Sequence, residues 1–423
     1  MIVTTLLRGR VLPALAALGD NTYLSAIRAG MVAVVPLTIV GGLFVIVAYL
    51  PVAGWDARIE PYRGLLQVPV TATFGLLAVV ASFSIAYDLG RRLRQEAIVS
   101  ATMTVVVFLM IQIDPGTRTF AMENLGSSGL FTAIVIAVVV VRLQAFFTGR
   151  NLVIRMPAGV PAIVYQSFLS LTPLLFLITA FWALRFVLHV DIDALVRGAF
   201  APLVFALNTL PGILVYAFLV TMLWSVGING DNALDAVVAP IFLQYLSANV
   251  AATTAGQPLP YITAYGFFTT FVNVGGTGAT VALAVVLWNS KDGGFRKISR
   301  LSLPTQVFQI NEPIFFGLPI VLNPVFMIPY VLNALLLTMG TYVLMQWEII
   351  GKPFVNVPWT TPPIIGHYLV SGGDWKAAVW GAASIALAML VYFPFARAAE
   401  RQRLAAGRVA NDASNTAERA GRP

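Results

Sequence analysis

Long stretches without a charged residue dominate this chain. They run Ala29–Trp55, Gly64–Tyr87, Ala97–Ile113, Asn124–Val141, Met156–Leu184, Gly198–Gly230, Ala236–Ser290, Leu301–Trp347 and Ala377–Ala396, the eighth interrupted only by Glu312. A membrane-crossing helix needs about 20 apolar residues, so each stretch predicts at least one crossing or most of one. Ala236–Ser290 and Leu301–Trp347 are far too long for a single straight helix. Their punctuation agrees: Gly275, Gly276 and Gly278 fall in the first, and Pro313, Pro319, Pro324 and Pro329 in the second. Each predicts helix plus broken backbone, as a re-entrant hairpin or an interfacial helix. Broken backbone at membrane depth is stable only where protein buries it or where it lines a wet cavity, and in transporters such breaks mark the substrate site. The region 225–375 is therefore expected to hold the site, and the more regular first half to be scaffold.

Composition turns this pattern into a fold class. The 423 residues are 58% hydrophobic and 10% charged, against about 25% charged in soluble domains. No globular fold hides that much apolar side chain without a second apolar phase, so the chain reads as an all-α polytopic membrane protein. Basic loops set the expected orientation. Arg91, Arg92 and Arg94 cluster in one, Arg142, Arg150 and Arg155 in another, and Lys291, Arg296, Lys297 and Arg300 in a third, while Arg397, Arg401, Arg403 and Arg408 lie in the tail. The intervening loops are acidic or balanced, so the positive-inside rule places both termini in the cytoplasm. The Leu6–Leu18 stretch is too short and too broken by Arg8, Arg10 and Pro13 for a cleavable signal peptide. The net charge of +8 belongs to loops and lipid headgroups rather than to nucleic-acid binding. With no cysteine and only His189 and His367, neither a disulfide framework, a metal site nor a Ser/His/Asp triad is expected, and no cofactor is implied.

Four stretches carry candidate chemistry. In VFQINEPIFFGLPIVLNP, Glu312 is the one charged residue between Arg300 and Glu348. An acid at membrane depth costs about 3 kcal/mol, so it is expected either to cap or neutralise a neighbour, or to accept a hydrogen bond or proton from a polar substrate. Asn311 precedes it, and Pro313 follows and suits a hairpin tip. In WSVGINGDN, Gly227 and Gly230 flank Asn229, a donor and an acceptor in one side chain; an ordinary helix-edge turn is the plain alternative. NVGGTGAT, with Gly275 and Gly276, lacks the lysine and preceding strand of a phosphate loop and reads as a close-packing segment or a binding loop. In PWTTPPIIGHYLVSGGDW, Trp359 suits stacking on a sugar face, with Thr360 and Thr361 as hydroxyl partners, or else membership of an interfacial aromatic belt. His367 reads as a structural imidazole.

Taken together, YLSAIRAGMVAVVPLTIVGGLF, FTGRNLVIRMPAGVPAIVYQSF, GGTGAT, QINEPIFFGLPIVLNPVFMIPY and TPPIIGHYLVSGGDW resemble the IIC membrane component of the bacterial phosphoenolpyruvate-dependent sugar phosphotransferase system, in its lactose/cellobiose/diacetylchitobiose branch. The resemblance runs from about Tyr23 to Ala396. It implies about ten transmembrane helices plus re-entrant hairpins in the cytoplasmic membrane of a bacterium, in a homodimer surrounded by lipid. It implies a cytoplasmic segment over 1–22, scaffold and dimerisation helices over 23–200 and a substrate-binding transport half over 201–396 that moves in an elevator-like manner. The basic tail over 397–423 is expected to be disordered. It also implies uptake of a disaccharide and its phosphorylation at the 6-hydroxyl by a separate IIB protein carrying phosphate on cysteine, since this chain has none. Glu312 falls on the family's acid, which holds or deprotonates that hydroxyl; Asn229, Asn311, Gly227, Gly275, Gly276, Trp359 and Thr360 complete the expected sugar site.

One position departs from the family pattern. Where the family carries Gly-Ile-His-Gly, this chain has Gly227-Ile228-Asn229-Gly230. Asparagine can hydrogen-bond a sugar but takes no proton near neutral pH, whereas imidazole does. Phosphorylating permease, sugar-binding sensor and uncoupled or ion-coupled disaccharide transporter are therefore three distinct expectations. Rescue of the missing imidazole by His367 is a fourth possibility for the site.

Overall fold

The computed structural model describes residues 21–49, 54–154, 162–318, 320, 321 and 323–420. Most of the expected N-terminal segment 1–22, residues 155–161 of one family-like stretch, and Pro319 lie outside the described residues. Among those described, the regular structure is helical. Seven helical stretches are long and apolar enough to cross a membrane, with an eighth if a bent pair counts as one broken span.

The chain divides into two compact units, the first holding Met1–Thr209, Asp231–Tyr265 and Phe354–Asn356. Its helices open with α1 (Thr22–Val32) and α2 (Val35–Ala48). The side chain of Asn21 caps α1 by accepting from the amides of Tyr23 and Leu24 at 2.9 and 3.2 Å, two donors that the first turn leaves without partners. Then come α3 (Arg63–Phe74), α4 (Leu77–Arg92), α5 (Ala97–Ile111), α6 (Leu130–Gly149), α7 (Ala162–Trp182) and α8 (Ile192–Leu207). Small residues bring these helices close, as expected in lipid where hydrophobicity does not drive association. A Cβ at Gly30 would collide with the Ile85 backbone, and one at Gly90 with Ser100.

Several buried polar groups in this unit are paired across helices. Ser100 donates to Gln144 at 2.6 Å. The buried Asp193 carboxylate accepts from Thr132 Oγ1 at 2.6 Å and from Gln112 Nε2 at 3.3 Å. The hydroxyl of Thr38 accepts from Asn356 Nδ2 at 2.6 Å, which anchors the distant segment Phe354–Asn356 to α2. The outward positions are apolar instead: Leu65, Leu175 and Phe205 are 70%, 65% and 75% exposed. Apolar side chains on the outside, with hydrogen-bonded polar pairs within, are what lipid as solvent selects.

Next, α9 (Leu210–Ser225) belongs to the second unit, while α10 (Gly230–Thr254) lies almost wholly in the first. The second unit holds Leu210–Gly230, Gly266–Pro353 and Val357–Pro423, and continues with α11 (Thr280–Leu287), α12 (Gly293–Gln306), α13 (Glu312–Gly317), α14 (Pro324–Gln346), α15 (Pro363–Val370) and α16 (Trp375–Ala420). Both overlong apolar windows are broken as their glycines and prolines predict. The first leaves α10 for loop, a π-helical turn at Phe267–Val272 and the eight-residue α11. The second leaves α12 for the six-residue α13 before α14 begins at Pro324.

The last helix, α16, runs without a break from Trp375 to Ala420. Alanine, arginine, glutamate and leucine, which fill its stretch from 397, are strong helix formers, and specific contacts hold the first turns of that stretch. Glu400 accepts from Ser290 Oγ at 2.6 Å, from the Lys291 amide, and from Arg397 at 2.8 Å. Arg403 lies over the Phe295 ring at 4.6 Å and pairs with Asp292 at 3.5 Å. The partners that pin these turns come from a segment about a hundred positions away.

Candidate functional site

Three of the four sequence-identified stretches meet inside the second unit, around backbone that leaves helical geometry. The first is the end of α9. There the Gly227 amide donates to Trp224 O at 2.8 Å and the Ile228 amide to Leu223 O at 3.0 Å. Gly227 has φ of +90°. This pattern is a Schellman stop, in which glycine at the left-handed position lets two orphan carbonyls be satisfied. Gly227 therefore ends α9 and aims the chain, and Asn229, half-buried, stands in the turn it creates.

That turn packs against α13 and the segment after it. The Trp224 ring meets Phe315 edge-on at 5.1 Å, and a Cβ at Gly227 would touch the Val321 side chain at 3.6 Å. Phe315 in turn lies 5.6 Å from the Tyr330 ring. The Asn229 turn, α13 and the first turns of α14 thus share one aromatic neighbourhood.

The glycine loop is the second component. Gly275, Gly276, Gly278 and Ala279 all have positive φ, at +70°, +102°, +75° and +54°. Three of the four are glycines because an L side chain is disfavoured there, and a Cβ at Gly278 would run into the Tyr330 ring. Side chains from elsewhere hold the loop. Gln309 Oε1 accepts from the Gly275 and Gly276 amides at 2.8 and 3.1 Å. Asn311 Nδ2 donates to Thr277 O at 3.1 Å, and Tyr392 Oη to Gly278 O at 2.7 Å.

Glu312 is the third. Asn311 is buried and pinned to the glycine loop, whereas Glu312 and Pro313 beside it are exposed and Ile314 and Phe315 are buried again. The tip reading of Asn311-Glu312-Pro313 is refined here: Glu312 opens a short helix, with Pro313 in its first turn. Proline's missing N–H costs nothing there, since first-turn amides have no intrahelical partner. A carboxylate therefore projects from the surface of this unit, with buried Asn311 before it and buried Ile314 and Phe315 two and three positions after it.

The fourth stretch is one element removed. Trp359 is 56% exposed and Thr360 half-buried, while the Thr361 hydroxyl donates to Pro358 O at 2.7 Å. They lead into α15, whose Gly366 lies close enough to Thr270 that a Cβ would sit 2.9 Å from its methyl. His367 is buried in α15, bonded through Nδ1 to Pro363 O and edge-on to Phe271 at 4.5 Å. It lies in the core of the unit, with Nε2 buried and without a hydrogen-bond partner.

Gln309 and Tyr392 were missed by motif reading. A signal existed for Gln309, a polar residue two positions before Asn311 in an apolar run. None existed for Tyr392, which the fold brings from 114 positions away. Among the described residues no group of three or more His, Cys, Asp or Glu side chains could hold a metal ion.

The comparisons with known proteins agree with one another. The family model "Phosphotransferase system, EIIC" matches residues 28–334. The lichenan permease IIC component of Bacillus subtilis is 34% identical over 95% of this chain and 94% of its own length. The cellobiose-specific EIIC component of Geobacillus stearothermophilus is 32% identical over 95% of both chains. The lactose-specific EIICB component of Streptococcus mutans is 30% identical over 91% of this chain and 70% of its own. Among solved structures, the transporter ChbC, the IIC component of an N,N'-diacetylchitobiose-specific phosphotransferase system, superposes with a TM-score of 0.89 at 31% identity, covering 95% of this chain and 99% of that one.

Proposed function

Because this chain belongs to the phosphotransferase system EIIC family, we propose that it carries a β-linked disaccharide across the bacterial membrane and presents the sugar's 6-hydroxyl to a separate IIB protein. The observation that carries this reading is the placement of Glu312. It is an exposed carboxylate at the start of a short helix, in a break of an otherwise apolar span, with buried Asn311 beside it anchored to the glycine loop. An acid held in that way accepts a hydrogen bond from a sugar hydroxyl, and takes its proton as that oxygen attacks the phosphorus on the IIB cysteine. The O–P bond then forms, the S–P bond breaks, and the sugar leaves as its 6-phosphate. Asn229 and Asn311 supply further hydrogen-bonding groups, and Trp359 with Thr360 a stacking face and a hydroxyl. Gly227, Gly275 and Gly276 act by shaping backbone, since the Gly275 and Gly276 amides are already engaged by Gln309.

The family resemblance supports the remaining parts of the proposal. These are a homodimer in lipid, both termini in the cytoplasm, and an elevator-like movement of a transport half over 201–396 against a scaffold half over 23–200.

Asn229 favours a second reading, in which the sugar is bound or carried but not phosphorylated. One experiment separates the readings. The protein is reconstituted in vesicles with labelled cellobiose, with and without phosphorylated IIB on the cytoplasmic side. Sugar phosphate that depends on IIB supports the permease; free sugar inside supports an uncoupled transporter; saturable binding without uptake supports a sensor.

A further inference from the structure

We infer that Gln309 is a positioning residue: it holds the glycine loop and, through the two residues that follow it, sets where the Glu312 carboxylate stands. This rests on the reading of Glu312 as the sugar-facing acid.

Gln309 is a glutamine with φ of +67°, a left-handed backbone that non-glycine residues seldom adopt unless the surroundings impose it. It is nonetheless 6% exposed, and that backbone delivers its amide oxygen to two consecutive amides, Gly275 N at 2.8 Å and Gly276 N at 3.1 Å. Successive amides flanked by positive-φ residues form a concave nest that attracts an anion or a carbonyl oxygen. Here the occupant is a side chain of the same unit. The nest is thereby closed to a sugar, and the two glycines become an anchor rather than ligands.

Two positions on, Asn311 Nδ2 donates to Thr277 O at 3.1 Å. The backbone on either side of Ile310 is thus tied twice to one loop, and that loop is held from a third side by Tyr392 on Gly278 O at 2.7 Å. The Gln309 backbone is itself closed against α12 by its amide on Gln306 O at 3.0 Å. Glu312 is the first residue beyond these ties whose side chain is exposed. A carboxylate at the first position of a six-residue helix has only a short element of its own to hold it, and misplacement by about an ångström at such a site is costly in rate and affinity. The clamp supplies the missing rigidity.

The test uses the full-length protein and cellobiose as probe. Gln309→Met keeps the side-chain length and removes the acceptor, leaving the buried Gly275 amide without its partner and the Gly276 amide with Asn273 O alone at 3.1 Å. Gln309→Glu keeps the acceptor. Cellobiose affinity and thermal midpoint are measured for wild type, both variants, Glu312→Gln, and the Gln309→Met/Glu312→Gln double variant. The expected result is roughly tenfold weaker binding for Gln309→Met, about 1.4 kcal/mol, with binding within about threefold of wild type for Gln309→Glu. In the Glu312→Gln background the methionine change is expected to cost less than about twofold, because residues that act through one another are not additive. A purely structural Gln309 would lower the thermal midpoint but leave affinity unchanged, or weaken binding equally in both backgrounds; either outcome overturns the inference. Cellobiose affinity in Glu312→Gln equal to wild type would instead remove Glu312 from the site, and with it the underlying reading.

Discussion

Glu312 and Asn311 are chain neighbours with opposite fates, one exposed and the other buried and bonded to Thr277. Replacing Glu312 with glutamine removes a charge-assisted hydrogen bond, worth about 1.5–3 kcal/mol, so cellobiose binding should weaken by about tenfold to a hundredfold in a thermal-shift or calorimetric titration. Replacing Asn229 with histidine should act on chemistry more than on binding. If proton removal limits phosphoryl transfer, restoring an imidazole should raise the IIB-dependent rate by about a hundredfold with sugar affinity little changed; no gain would show that Glu312 suffices as base. His367 gives no support to a relay, since its ring is enclosed by Phe271 and the backbone of Gly381 within the unit.

At the scale of elements, the proposed site lies where the backbone departs from helix in a controlled way. The loop 275–279 is specified by four left-handed residues, and only one of them, Ala279, is not glycine. A left-handed L residue costs about 1–2 kcal/mol. Gly278→Ala should therefore lower the thermal midpoint and also press on Tyr330, whereas Ala279→Gly should leave stability unchanged or improve it. Thermal unfolding in detergent checks both, and equal effects at the two positions would contradict the observed dihedrals. The end of α9 shows the same economy. Gly227 allows two carbonyls to be satisfied through the Schellman pattern, so in the proposed site it contributes geometry while Asn229, two positions on, contributes the polar group.

For the whole molecule, the absence of cysteine makes orientation directly measurable. Single cysteines at Lys297 and at Arg118, labelled with an impermeant maleimide on intact cells, should react on opposite sides: Arg118 from outside, Lys297 only after the cells are opened. The reverse pattern would overturn the cytoplasmic placement of the basic loops. The C-terminal helix belongs to this scale too. Glu400 joins α16 to the Ser290–Lys291 loop, and Glu400→Ala leaves those donors without their acceptor, so it should destabilise by about 1–3 kcal/mol. The expected readouts are a lower thermal midpoint and faster proteolysis of the segment after Ala396. Unchanged proteolysis would mean that the contacts of Glu400 do not hold the tail.

What the sequence determined by itself follows from solvation and from local backbone chemistry. Apolar windows of spanning length, a tenth of residues charged, and glycines and prolines in the two overlong windows were enough to predict a polytopic helical protein broken near 275 and 313. These signals are legible because lipid penalises every charge and every unpaired amide residue by residue. Glu312 stood out for the same reason, as a lone acid whose cost had to be offset. Only the tertiary structure decided which groups are free to meet a ligand. Gly275 and Gly276 read as members of a binding loop or of a close-packing segment, and the fold puts Gln309 on their amides; nothing around Glu400 announced Ser290 and Lys291 as its partners. In both cases the partner lies tens to more than a hundred positions away. Composition and periodicity report how each residue meets its solvent, but a hydrogen bond between distant segments exists only once the fold has brought them together.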